Sequence, residues 1–159
     1  MKKPDFGQTV TILANIGVIA GIVFLGLELE QNNSLLRMQA SYSLLQNRTA
    51  FRQEATANAE VADFWVRVND GDPLSQSDQV RLAYYAETAI LNWQFEYAQF
   101  LEGNLDEQEL PVGGYRAVMN AEGSEGEAYR SVWSRWQRGG GKGSLRADFA
   151  QWMSESVVN

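Results

Sequence analysis

The sequence predicts an all-α protein in which a single N-terminal transmembrane helix continues into a small helical-bundle domain. Residues Thr9 to Leu27 are nineteen consecutive positions without a charged side chain. At 1.5 Å rise per residue, about twenty apolar residues cross the roughly 30 Å hydrocarbon core of a bilayer. The later chain repeats apolar residues at helical spacing and shows no convincing alternation at period two, so strands are not expected.

The apolar segment is expected to remain attached as a membrane anchor covering residues 1–33. A secretory signal peptide has a shorter apolar core and a small-residue cleavage site, whereas this run ends in Leu27-Glu28-Leu29-Glu30-Gln31. Lys2 and Lys3 precede the run, and the next basic residue is Arg37. The positive-inside rule then favours a cytoplasmic N-terminus and a periplasmic domain.

Small residues inside the anchor suggest a surface for helix association. Ala14, Gly17 and Gly21 fall on one helical stripe, and the two glycines have the G-x-x-x-G spacing that permits close approach in lipid. Glu28 lies near the same stripe at the expected membrane boundary. We expect a homo-oligomer or a subunit of an inner-membrane complex, with membrane lipid as the surrounding partner. The alternative is that glycine is simply common in membrane helices.

Asn15 is a polar amide several residues inside the apolar run. At 100° per residue, it projects about 100° away from the glycine stripe. An unpaired amide is costly in hydrocarbon, so Asn15 is expected to bond to a neighbouring helix, a carbonyl or water. Two contact faces suit a multi-subunit assembly better than a simple dimer.

Residues 34–159 are expected to form one soluble helical domain. Because neither proline nor glycine follows Leu27 until Gly71, the membrane helix can continue directly into the first helix of the domain. A turn is predicted at Asn69-Asp70-Gly71-Asp72-Pro73, and Ser75 or Ser77 caps the next helix. The predicted helices cover residues 34–58, 59–68, about 76–102, 115–121, 124–137 and 144–157.

The long helix ending near residue 102 carries too many aromatic residues for one narrow stripe, so it should be central. Glu96 shares a stripe with Trp93 and could be a buried carboxylate, a common mark of a functional site. The alternative is a structural partner from the first long helix, such as Arg48 or Arg52. A cavity bordered by Trp93, Glu96 and Trp133 would provide a ligand or partner surface, with a small apolar or aromatic molecule as the ligand.

The composition excludes several enzyme classes. The chain contains no histidine and no cysteine, which removes Ser-His-Asp catalysis, thiolate chemistry and the usual zinc or haem ligands. Glu87 and Glu96 are separated by about 13 Å of helix rise, too far to share a substrate bond. We therefore expect no enzymatic activity, no cofactor and no metal site.

The charge distribution argues against nucleic acid as a partner, because the net charge is −7. Fifteen acidic residues lie between Glu54 and Glu127, whereas residues 128–146 contain five basic and no acidic residues. These segments either pair inside one domain or present a basic face to anionic lipid.

Two motifs are rejected as binding loops. The segment Gly139-Gly140-Gly141-Lys142-Gly143-Ser144 lacks the Gly-Lys-Ser/Thr order of a phosphate-binding loop and follows a predicted helix, so a flexible connector is favoured. Asp70, Asp72 and Asp78 lack the ligand spacing of a calcium loop and are expected in a capped turn.

The chain resembles a broad set of small uncharacterised bacterial proteins that have an N-terminal anchor, a polar Gln-Asn tract and a helical domain. The resemblance is carried by residues 16–21, by Leu25-Gly26-Leu27-Glu28-Leu29-Glu30-Gln31-Asn32-Asn33, by Trp93-Gln94-Phe95-Glu96-Tyr97 and by residues 102–107. It spans most of the chain and implies architecture and bacterial origin, without an activity. The sequence departs from the set at Pro111-Val112-Gly113-Gly114 and at the Gly139 loop.

Overall fold

The computed structural model describes residues 6–140 and 145–158, and all regular structure within these ranges is helical. The prediction of an all-α chain, with a long apolar N-terminal helix followed by a helical domain, is confirmed. The helices are α1 (Phe6–Ala57), α2 (Ala59–Asp70), α3 (Gln76–Leu101), α4 (Val112–Met119), α5 (Gly123–Arg135) and α6 (Ala147–Met153).

Helix α1 runs without interruption through the predicted anchor, as the absence of proline and helix-breaking glycine after Leu27 suggested. The chain divides into a first compact unit that ends at Gln39 and a second that begins at Ala40. No described residue before Ala40 is buried, whereas Ala40 and Leu44 are. The boundary predicted from the sequence, between residues 33 and 34, concerns the membrane anchor and stays a prediction.

The ends of α2 and α3 follow from side-chain caps and left-handed glycines. Asn58 accepts a hydrogen bond from the Glu60 amide at 3.0 Å at the start of α2, and Gly71 ends that helix with φ 73°. Ser75, rather than Ser77, caps α3 by accepting from the Asp78 amide at 3.2 Å. Each cap satisfies an amide that has no partner within its own helix.

Helix α4 begins at Val112 rather than at Tyr115, where the sequence pattern placed it. The carbonyl of Pro111 accepts the Tyr115 amide at 3.0 Å, so the first turn starts at the proline. A short 3₁₀ turn at Glu107–Glu109 precedes α4, and Asp106 and Glu109 form a capping box around it. The sequence prediction therefore placed the start of α4 three residues too late.

The core of the second unit centres on α3. One face of α3 packs against α4, α5 and α6, and Phe64, Val68 and Leu82 form a smaller cluster between α2 and α3. The buried residues of the larger cluster are Ala86, Ile90, Trp93, Tyr97, Tyr115, Met119, Tyr129, Val132, Trp133, Trp136, Phe149, Met153 and Val157. The aromatic-rich helix is therefore central, as predicted.

The two C-terminal helices each continue into a wider π-type turn. Trp136–Gly140 follows α5, where Gly139 adopts φ 86°, and Ser154–Val158 follows α6. Helix α6 begins at Ala147. Residues 141–144 of the predicted glycine connector, together with Lys2 and Lys3, lie outside the described residues.

Candidate functional site

The predicted association residues all lie within the helical part of the first unit. Ala14, Gly17, Gly21 and Glu28 share one stripe of α1, and Asn15 lies on another side. A Cβ atom added at Gly17 or Gly21 would meet no heavy atom within 4 Å. The glycine stripe, defined as Ala14, Gly17 and Gly21, is therefore open to a close neighbour.

Two polar side chains in the apolar part of α1, Thr11 and Asn15, differ in their hydrogen bonding. The Thr11 hydroxyl donates to the Gly7 carbonyl of its own helix at 2.9 Å. The Asn15 amide has no hydrogen-bond partner within the part of the chain that the structure describes. Asn15 thus retains donors and an acceptor for another group.

The apolar side chains around α1 are exposed. Val10 is 49% exposed, Ile22 is 64% exposed and Leu29 is 64% exposed. By length and composition, α1 is able to cross a membrane. Exposed apolar patches of this kind are typical of surfaces that contact a membrane or another protein.

Glu96 is buried at the centre of a polar network. Its Oε2 accepts a hydrogen bond from Nη2 of Arg48 at 3.1 Å and another from the Tyr115 hydroxyl. The same Arg48 nitrogen donates to the Glu109 carbonyl at 3.1 Å. The alternative interpretation of Glu96, a structural ion pair with Arg48, is confirmed by these contacts. Its charge is compensated, as a buried carboxylate requires.

The pKa of Tyr115 lies well above its usual value. Burial is the largest cause, because it disfavours the phenolate, and the adjacent Glu96 charge acts in the same direction. The Tyr115 hydroxyl therefore remains a donor to Glu96 across the physiological pH range. The geometry describes a structural network, in which the carboxylate is held by a cation and a neutral phenol.

Trp93 and Trp133 lie inside the larger core rather than on a free surface. Trp93 stacks on Tyr115, at a centroid distance of 4.5 Å, and on Tyr129, at 5.5 Å. Trp133 meets the ring of Phe149 edge-on at 6.4 Å, and its Nε1 has no hydrogen-bond partner within the described residues. Trp93 and Glu96 are brought together through Tyr115, while Trp133 contacts a different part of the core.

A cavity of about 480 Å³ opens between the end of α1, α2, α3 and α5. Trp93, Glu96 and Trp133 do not line it. Its polar and aromatic lining includes Glu54, Trp65, Tyr85, Asn92, Glu125 and Tyr129. Sequence reasoning missed this site because its residues come from four helices. The one feature of the sequence that pointed towards this cavity was Tyr85, which lies on the same stripe of α3 as Trp93 and Glu96.

The side chains of the cavity are organised by contacts between helices. Trp65 and Tyr85 meet edge to face, with centroids 5.4 Å apart and ring planes at 71°. The Tyr85 hydroxyl donates to Oε2 of Glu54 at 3.1 Å. Burial raises the pKa of Glu125, and burial together with Glu125 raises the pKa of Tyr129. The cavity therefore combines aromatic walls with two carboxyl groups.

The acidic turn before α3 serves a structural purpose. Asp78 accepts from Arg67 at 3.1 Å and from the Ser75 hydroxyl at 2.9 Å, and the Ser75 bond is the main reason that its pKa is lowered. Asp70 and Asp72 flank the left-handed Gly71. Among the residues that the structure describes, no group of three or more acidic side chains is arranged to hold a metal ion.

The fold and its sites define a class of protein: an all-α chain with a long, exposed apolar N-terminal helix and a helical domain with an aromatic core. Comparisons with protein-family models, curated proteins and solved structures find no match.

Proposed function

We propose that this chain is a non-enzymatic, single-pass protein of a bacterial inner membrane, whose helical domain serves as a scaffold or an accessory subunit. The exposed apolar surface of α1 is the observation that supports it. Full burial of a large aliphatic side chain is worth about 1.5–3 kcal/mol. A bilayer would remove this surface from water without any further protein contact.

The proposed association uses the glycine stripe of α1. In lipid there is no hydrophobic drive between apolar helices, so close backbone packing at small residues becomes the main attraction. Open space at Gly17 and Gly21 is compatible with such packing. The partner is a second copy of this chain or a helix of a larger membrane complex, and Asn15 supplies a second, polar contact.

The proposed orientation places the helical domain in the periplasm. Lys2 and Lys3 precede α1, while the first basic residue after its apolar part is Arg37. Basic residues near a membrane helix tend to stay on the cytoplasmic side. Labelling of a cysteine introduced at the exposed Gln137 by a membrane-impermeant maleimide in intact spheroplasts tests this orientation, with labelling only after lysis as the opposing result.

Membrane integration is tested on the full chain expressed in bacteria. We expect the protein to remain in the membrane fraction after alkaline carbonate extraction and to keep the mass of the full 159-residue chain. Release into the soluble fraction would contradict the anchor. Recovery of a chain shortened at its N-terminus would show instead that α1 contains a cleaved targeting signal.

Association is tested by native mass spectrometry and by energy transfer between labelled copies in mild detergent. Gly17→Leu is expected to reduce self-association at least about tenfold, or to release a co-purified membrane subunit, because it blocks close approach. The matched variant Gly26→Leu adds the same side chain about 180° away around the helix. Neither substitution meets a neighbouring atom within 4 Å at its Cβ.

Equal loss of association in both variants would show that added bulk, rather than the glycine stripe, disrupts assembly. A strictly monomeric wild-type protein with no co-purified partner would contradict the proposed role altogether.

A further inference from the structure

We propose that the cavity between the end of α1, α2, α3 and α5 is a binding site for a small organic cation, such as a quaternary or protonated amine with a compact apolar body. This site is separate from the glycine stripe, and the inference holds whether or not α1 associates with a partner.

The charge of the cavity lining selects a cation. Two carboxyl groups, Glu54 and Glu125, border the space, and its lining contains neither lysine nor arginine. Neither carboxyl group forms an ion pair with any residue that the structure describes. Arg81, one helical turn before Tyr85 on α3, is already engaged with Glu60 at 2.8 Å. A cation in the cavity would supply the missing positive charge.

The aromatic walls suit the same ligand. Trp65 and Tyr85 form a corner with their ring planes at 71°, and Tyr129 contributes a third ring to the lining. The negative faces of such rings attract ammonium groups, and several rings around one site form the aromatic cage that recognises quaternary ammonium. A weakly hydrated organic cation binds to such rings more favourably than a metal ion does, because a metal ion requires several oxygen ligands.

The environment of Glu125 adds support. Glu125 is half-buried, and burial raises its pKa because a carboxylate is destabilised when it loses water. A cation nearby would favour the ionised form and offset this cost. The volume of about 480 Å³ falls within the usual range for small-molecule sites.

Choline and its neutral isostere 3,3-dimethylbutan-1-ol provide a matched pair of probes, because they differ in charge and not in shape. The full chain is placed in lipid nanodiscs, and binding is followed by tryptophan fluorescence and isothermal titration calorimetry. We expect choline to bind saturably and to raise the unfolding temperature of the domain. The neutral isostere should bind at least about tenfold more weakly, since it lacks the charge that both carboxyl groups recognise.

Variants of the two carboxyl groups localise the site. Glu54→Gln and Glu125→Gln are each expected to weaken choline binding at least about fivefold, because each removes one charge without changing shape. Glu127→Gln, on the same helix but outside the lining of this cavity, is the matched control and should bind like the wild type.

Circular dichroism and the unfolding temperature without probe show whether each variant is folded. If Glu125→Gln fails to fold, choline binding by Glu54→Gln tests the site on its own, because Glu54 is exposed and its substitution should not disturb folding. The inference is overturned if choline shows no saturable binding, if the neutral isostere binds equally well, or if Glu127→Gln weakens binding as much as the two cavity variants.

Discussion

Nη2 of Arg48 lies 3.1 Å from Oε2 of Glu96, which ties the last part of α1 to the C-terminal part of α3. The Tyr115 hydroxyl donates to the same oxygen, so α4 joins the network. The ends of the pair differ in environment, because Glu96 is 3% exposed at its side chain and Arg48 is 41% exposed. Removal of Arg48 should therefore change the free energy of unfolding by a different amount from removal of Glu96.

Removal of the Arg48 charge should destabilise the domain. Arg48→Met keeps most of the stem but leaves the buried Glu96 carboxylate without its cation, so we expect a loss of about 1.5–3 kcal/mol in the free energy of unfolding. Urea unfolding followed by tryptophan fluorescence measures this quantity for the second unit, because all five tryptophans lie after Ala40.

Two further variants isolate the pair itself. Glu96→Gln added to Arg48→Met should cost less than the sum of the single changes, since the uncompensated charge disappears. Arg52→Met is the matched control, because Arg52 is exposed and has no ion pair with any described residue. If Arg48→Met and Arg52→Met cost the same, the ion pair contributes nothing to stability.

Gly126 marks a close approach between α5 and the preceding loop. A Cβ atom at Gly126 would lie 1.9 Å from the Ala121 carbonyl oxygen, which Arg130 already binds at 2.9 Å. Gly126→Ala must displace backbone, so we expect a loss of about 1–3 kcal/mol in the free energy of unfolding. The measurement is thermal or urea unfolding of the full chain in detergent.

Gly113→Ala provides the control for the same substitution in a helix. A Cβ atom there meets nothing within 4 Å, and alanine favours the helix by about 0.5–1 kcal/mol over glycine. We therefore expect Gly126→Ala to lower the free energy of unfolding and Gly113→Ala to raise it. If Gly113→Ala destabilised the domain as much as Gly126→Ala, crowding would not be the cause of the loss at Gly126.

The buried tyrosines should make the domain sensitive to alkali. An unfolded chain loses tyrosine protons near pH 10, whereas burial keeps Tyr129 protonated above that pH. Above pH 10 the unfolded state binds fewer protons than the folded state, so stability falls as the pH rises, by about 1.4 kcal/mol per pH unit for each such tyrosine. The measurement is the free energy of unfolding between pH 9 and pH 11.

Tyr129→Phe should reduce that slope by the contribution of one residue. Tyr84→Phe is the control, because it makes the same substitution at a side chain that is 65% exposed. Identical slopes for the wild type and Tyr129→Phe would mean that Tyr129 ionises equally well in the folded protein.

Local signals in the sequence predicted most of the helices. Ser75 and Gly103 bound α3 because capping and left-handed backbone depend on residues close in the chain. The uninterrupted run of α1 followed from the absence of breakers between Leu27 and Asn58. The start of α4 was misplaced because Pro111 and the two glycines after it mimic a loop, although proline is compatible with the first turn of a helix.

Contacts between distant residues could be predicted only in part. Helical periodicity placed Glu96 on the buried face of α3, and the first long helix offered Arg48 or Arg52 as its partner. The third member of the network, Tyr115, comes from α4, and no local pattern predicts how α4 packs against α3. The cavity depends on the spacing of four helices, which results from packing in the core. Its carboxyl groups, Glu54 and Glu125, look like ordinary surface acids in sequence.

The stacking of Trp93 on both Tyr115 and Tyr129 has an evolutionary consequence. In a close-packed core, a larger side chain at one of these three positions has no free space, and a smaller one leaves a cavity. Descendants of this chain should accordingly exchange these three residues in concert, with each loss of ring volume at one position offset by a gain at another.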